Sequence, residues 1–246
     1  MNEQGGLWAS RDAADLGLEP KRALSMLAPV AEAYREPWRY YHNLSHLGEV
    51  LDTIHLLRDR CFDLRAVLLA AWFHDAVYLP ERRDNEERCA DWAARALAAE
   101  GFDDAVIEKV RCLIISTKNH STASGPDAQV LADADRRIWT ASKERYAEYA
   151  RGVRREYGRY SWASYALGRR RFLSRVLRAG AHGKLYFCLN LLNPRADFLA
   201  RRNLEREARR LAPVRVLLAR LRGEDPLNGI TSPETAHEPG APLERG

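Results

Sequence analysis

The chain lacks most of the features that would assign it at a glance. Its four cysteines, Cys61, Cys89, Cys112 and Cys188, stand far apart with no CxxC pair. That excludes a zinc ribbon or a dithiol redox motif and predicts four reduced, mostly buried thiols. The N-terminus, MNEQGGLWASRDAAD, has neither a basic n-region nor an apolar h-region and does not read as a signal peptide. The longest apolar run, AVLLAAWF, falls far short of a bilayer span. A cytoplasmic protein with no membrane partner is the expectation. Period-2 alternation over a strand length is missing, and so is any internal repeat.

What is present is helical. Apolar residues recur at three and four in LGEVLDTIHLL, LRAVLLAAWF, CADWAARALAA, DAVIEKVRCLII, YAEYARGVRREY and LEREARRLAPVRVLLARL, which predicts an all-α bundle. Glycine and proline punctuate the pattern, and Asp103 and Ser142 stand where N-caps belong. At 246 residues the chain suffices for one large domain. Residues 1–6 and the Pro/Gly-rich tail 223–246 are expected to be disordered, leaving 7–222 folded. Charge is unevenly spread. Positions 136–223 hold 23 Lys and Arg against 6 Asp and Glu, and the remainder holds 16 against 28, so a net +5 hides +17 and −12. Such a division suits an anionic substrate held between an acidic and a basic part, although a solvated Arg-rich surface explains it equally. No nucleic-acid-binding motif accompanies it.

Three separated clusters carry chemistry: His42 and His46 in YYHNLSHLGEV, His74-Asp75 in AAWFHDAVY, and Asp133 with Asp135 in LADADRR. Imidazole nitrogens and carboxylate oxygens together suit a divalent cation of borderline hardness. If a helix begins by Tyr41–Asn43, four-residue spacing puts His42 and His46 on one face of it, where both can approach one centre; two hydrogen-bonded helix histidines are the plainer reading. His74 and Asp75 end a helix that is apolar all round, and a desolvated carboxylate there needs a cation, a donor array or a shifted pKa. An Asp that only orients the histidine is the alternative. Asp133 and Asp135 point about 200° apart on a helix, so one completes a ligand set while the other caps a helix or bonds a ligand.

A His, then a His-Asp doublet on the next helix, then a distal Asp resembles the HD superfamily of metal-dependent phosphohydrolases, over roughly positions 34–138. YREPWRYYHNLSHLGEV and FHDAVYLPERRDNEE look like one bacterial branch of HD proteins, a similarity reaching through YAEYARGVRREY to ARRNLEREARRL. YHNLSHLGEV is also similar to the YHNxxHAxDV signature of cyclic-nucleotide phosphodiesterases, departing from it at Glu49, where the signature has Asp. That family's nucleotide-clamping Gln and Phe are not found. The resemblance implies an HD-domain bundle, with a metal-binding core over about 34–140 and additional basic C-terminal helices over about 141–222. It implies His46, His74, Asp75 and Asp135 as ligands of one or two divalent ions (Mn, Mg, Zn or Fe). His42 would protonate the leaving oxygen, with Asp75 both ligand and catalytic group. The implied reaction is hydrolysis of a phosphomonoester or phosphodiester, of a nucleotide or similar small anion, by water that the ion acidifies. A di-iron oxygenase, as in some HD relatives, and a non-catalytic nucleotide or nucleic-acid binder are the alternatives.

Around this set, His120, Glu86, Asp133 and Lys118 are candidates for a second metal or for substrate contact, against plainer readings as loop, cap or solvated residues. Arg39, Arg154, Arg155 and Arg171 are candidates for a bidentate phosphate clamp, and the sequence does not choose among them. His55 reads as structural, and Tyr146, Tyr149, Tyr157, Tyr160 and Trp162 read mainly as helix packing.

Overall fold

The computed structural model describes residues 3–181 and 184–227, with backbone alone at 3–4, 120–122 and 181. Among the described residues there are twelve α-helices and no strand. The first seven are α1 (Glu3–Leu16), α2 (Pro20–Ala33), α3 (Leu44–Leu56), α4 (Leu64–Phe73), α5 (Asn85–Ala99), α6 (Asp104–Ser116) and α7 (Pro126–Asp135). The last five are α8 (Lys143–Glu156), α9 (Trp162–Ala181), α10 (Leu189–Leu192), α11 (Ala196–Arg210) and α12 (Pro213–Leu221).

α4 is the axis of the first core. Asp63 caps it by accepting the Ala66 N–H at 3.0 Å, and every residue from Ala66 to Phe73 is buried. A side chain such as Leu68 or Phe73 contributes about 1.5–3 kcal/mol by leaving water. α3 and α7 pack on one side of α4, α5 and α6 on another, and α1 with α2 on a third. Buried Asp12 ties α1 to the rest, accepting from Trp72 Nε1 at 3.0 Å and His55 Nε2 at 2.8 Å. His55 is structural, as its sequence context predicts.

A second core gathers α8, α9, α11 and α12 around Tyr146, Leu173, Tyr186 and Leu204. Inside it, Arg169 Nε meets Glu207 at 2.8 Å, and Tyr146 donates to the same carboxylate at 2.6 Å. The two cores are joined at the end of α7, where Asp133 accepts the backbone N–H groups of Phe187, Cys188 and Leu189 ahead of and into α10.

Several boundaries differ from the sequence reading. Residues 3–6 belong to α1, and Gly5 is buried at a close approach to Ala31. Residues 1–2 and 228–246 lie outside the described residues, but Leu227 is buried in the second core, so the folded part passes 222. The pattern LEREARRLAPVRVLLARL divides at Pro213, whose missing N–H suits the first position of α12. Ser142 caps α8 through the Arg145 N–H at 3.3 Å, whereas the Asp103 side chain makes no such bond. All four cysteines are unpaired; Cys89 and Cys188 are buried, Cys61 is half-buried and Cys112 is exposed on α6. Among the described residues no helix is long and apolar enough to cross a membrane.

Candidate metal centre

Three helix ends meet at one point. Asn43 caps α3 by accepting the N–H groups of Ser45 and His46, which fixes His46 in the first turn. The chain leaving α4 carries His74 and Asp75, and α7 ends on Asp135. His46 Nε2 lies 3.3 Å from His74 Nε2, 3.6 Å from Asp75 Oδ2 and 3.1 Å from Asp135 Oδ1. His74 Nε2 lies 3.3 Å from Asp75 Oδ2 and 3.6 Å from Asp135 Oδ1. Ligands held about 2.0–2.2 Å from one ion stand about 2.8–3.6 Å apart in octahedral or tetrahedral arrangement. The spacing of His46, His74 and Asp75 therefore fits a single divalent cation, and Asp135 stands against both histidines.

The surroundings set the donor atoms. His74 Nδ1 donates to the Ala71 carbonyl at 2.7 Å, so Nε2 is the nitrogen left for the centre. Tyr34, buried at the end of α2, accepts the Asp75 N–H at 3.1 Å. Burial alone would strip protons from the imidazoles, but hydrogen bonds to Asp135 and Asp75 reverse this and lift His46 to about 9. His74 is held well above its ordinary value despite burial, chiefly by the Asp75 charge. Burial would raise Asp75, yet His74 and His46 hold it well below the usual carboxylate range. The carboxylates thus call for positive charge, which protons or a metal ion can supply.

His42 sits beside this set, its ring centroid 5.7 Å from that of His46. Its Nδ1 pairs with Glu156 Oε2 at 2.7 Å, and the other oxygen of Glu156 accepts the N–H groups of Tyr41 and His42 at 2.7 and 2.9 Å. Tyr78 stacks on the His42 ring at 4.2 Å and donates to Glu156 at 3.1 Å. Burial would raise the Glu156 carboxyl, but His42 and these backbone donors bring it below its ordinary value. Gly152 lets α8 come this close: a Cβ there would stand 3.1 Å from the Tyr40 carbonyl and 3.2 Å from Tyr41 Cβ. Glu156 was missed from the sequence. Its signal was scarcity, as one of only six acidic residues in the basic third.

The other candidates divide sharply. Arg39 is no phosphate clamp: its guanidinium is buried and donates to Glu36, to the carbonyls of His42 and Asp75 at 3.2 and 2.6 Å, and to Ala76 at 3.0 Å. It ties the His42 turn to the Asp75 turn. Arg154 is spent on the Tyr157 and Tyr160 carbonyls at the end of α8. Arg155 stacks on Tyr40 at 3.7 Å, and Arg171 is exposed on α9, which packs on α11 and α12 rather than on the ligand helices. Asp133 faces away from the centre, fully used by the α10 backbone and by Arg136 at 3.2 Å. Lys118 donates to the Arg83 carbonyl at 2.7 Å and pairs with Glu87. Glu86 is half-buried; burial raises its pKa, with Asp75 adding and Lys118 opposing. The side chain of His120 lies outside the described residues. On Gly48, the Trp8 ring of α1 fills the space of a Cβ.

No family model, no curated protein and no solved structure matches this chain. What fold and site define by themselves is an all-α protein with a buried His/Asp cluster.

Proposed function

We propose that the chain is a metal-dependent phosphohydrolase of the HD superfamily, acting in the cytoplasm on a phosphomonoester or phosphodiester of a nucleotide or similar small anion. One observation carries the reading: His46 and His74 lie 3.1–3.6 Å from one another and from Asp75 and Asp135, converging from three helix ends beside a further histidine, His42. When bound, a divalent cation supplies Lewis acidity, lowering the pKa of water from 15.7 toward about 7 and neutralising phosphoryl oxygens. The residues do the rest. Asp75 and Asp135, partly open to solvent, leave one side of the cluster accessible. Glu156 takes the Nδ1–H of His42, so Nε2 is the nitrogen that exchanges a proton with the leaving oxygen. Arg39 keeps the two turns in register.

The test is elemental analysis of anaerobically purified protein, followed by a panel of nucleotides and phosphate esters at that metal loading. Turnover should vanish, together with bound metal, in the His74→Ala/Asp75→Ala variant. Equal rates for variant and wild type refute the reading, and two irons per chain with oxygen consumption would replace it by the oxygenase.

A further inference from the structure

The basic C-terminal third carries a feature that the metal centre does not use. Of the large hydrophobic side chains exposed among the described residues, eleven of seventeen lie at or after Tyr160, in the region whose net charge is +17. Both properties concentrate on α12. Val216 points into the second core and is buried, whereas Val214, Leu217, Leu218 and Leu221 are exposed, Val214 by 68% and Leu221 by 75%. At about 100° per residue these four form one stripe about 100° wide, on the side opposite Val216. Arg215 and Arg222 border one edge of the stripe and Arg220 the other, all three exposed. A surface helix ordinarily turns its apolar stripe inward and its charges out. This face of α12 shows both to solvent.

Chemistry selects the occupant. A second copy would set arginines against arginines, and four side chains on a nine-residue helix are far fewer than the roughly 20–30 residues a side of a stable protein interface. Nucleic acid would satisfy the arginines but not an aliphatic stripe, because bases stack on aromatic rings. An anionic lipid surface satisfies both, taking aliphatic side chains at the acyl boundary and arginines at the headgroup phosphates. We infer that α12 docks the protein on an anionic lipid surface, with Val214, Leu217, Leu218 and Leu221 inserted and Arg215, Arg220 and Arg222 at the headgroups.

The full chain should be sedimented with vesicles of phosphatidylcholine alone and of phosphatidylcholine with phosphatidylserine, at low and at physiological salt. Binding is expected on the anionic vesicles and should be weaker by on the order of a hundredfold on neutral ones or in Arg215→Glu/Arg222→Glu. The Leu217→Ser/Leu221→Ser variant should lose on the order of tenfold or more while melting with the wild type, since both positions are exposed. Absence of sedimentation, equal binding to neutral vesicles, or undiminished binding by the serine variant overturns the inference. So does a concentration-dependent dimer that the serine variant breaks, or oligonucleotide binding by a chain that ignores vesicles.

Discussion

The two cores bury polar groups to opposite ends. In the C-terminal core, Glu207 is answered inside the chain by Arg169 and Tyr146. In the N-terminal core, His46, His74, Asp75 and Asp135 turn their coordinating atoms on one another. The same contrast holds two residues apart on α7. Asp133 is cradled by backbone N–H groups at the seam between the cores, while Asp135 joins the histidines. A buried carboxylate therefore marks a site only when the chain does not itself supply its full set of donors.

The contrast can be broken at several points, the largest effects first. Replacing His74 or Asp75 by Ala should abolish metal retention and turnover while the second core stays folded; elemental analysis with circular dichroism checks this. Glu207→Leu should do the reverse. Leaving buried Arg169 without its partner costs about 3–5 kcal/mol in denaturant unfolding, with metal affinity unchanged in whatever fraction remains folded. Glu156→Gln lies between the two, lowering kcat about 10–100-fold with metal content intact, because it frees the His42 ring without touching a ligand.

Acidity supplies a finer test. His46 stands above its usual 6.5, at about 9, so in metal-free protein its pairing with the carboxylates stabilises the fold fully below 6.5 and fades as pH rises through 9. Metal competes with those protons, so its affinity should climb by up to about tenfold per pH unit for each imidazole proton displaced across the same window. A chelator-buffered titration with flat affinity would contradict the proton-for-metal exchange. Smallest of all, Arg171→Ala should leave KM within about twofold, since an exposed arginine on α9 stabilises little by itself.

That His46, His74, Asp75 and Asp135 would gather was legible through the resemblance of their order to the HD pattern, and each stands beside an apolar helical stretch. Helix type was equally readable, since the three- and four-residue period survives in the neighbours of the axial α4. What could not be read was pairing across sequence distance. Arg39 and Arg154 looked like free cations until the carbonyls that occupy them were brought alongside, and those carbonyls carry no sequence identity. Glu156, 114 residues from His42, becomes its partner only through the packing of α8 on the 40–42 turn. The α1 start at Glu3 was hidden by a Gly pair, which reads as fraying unless Ala31 is known to lie against it.

Gly152 and Glu156 are one helical turn apart, and the first sets how near the second can come. A bulky residue at 152 would push α8 off the 40–42 turn and lever the acid away from His42 even with both ionisable groups intact. A search for further proteins of this design should accordingly weigh the pair Gly-x-x-x-Glu alongside the histidine motif. A chain keeping the His and Asp set but bearing a bulky residue at that glycine would be expected to keep the cluster and lose the His42–Glu156 pairing.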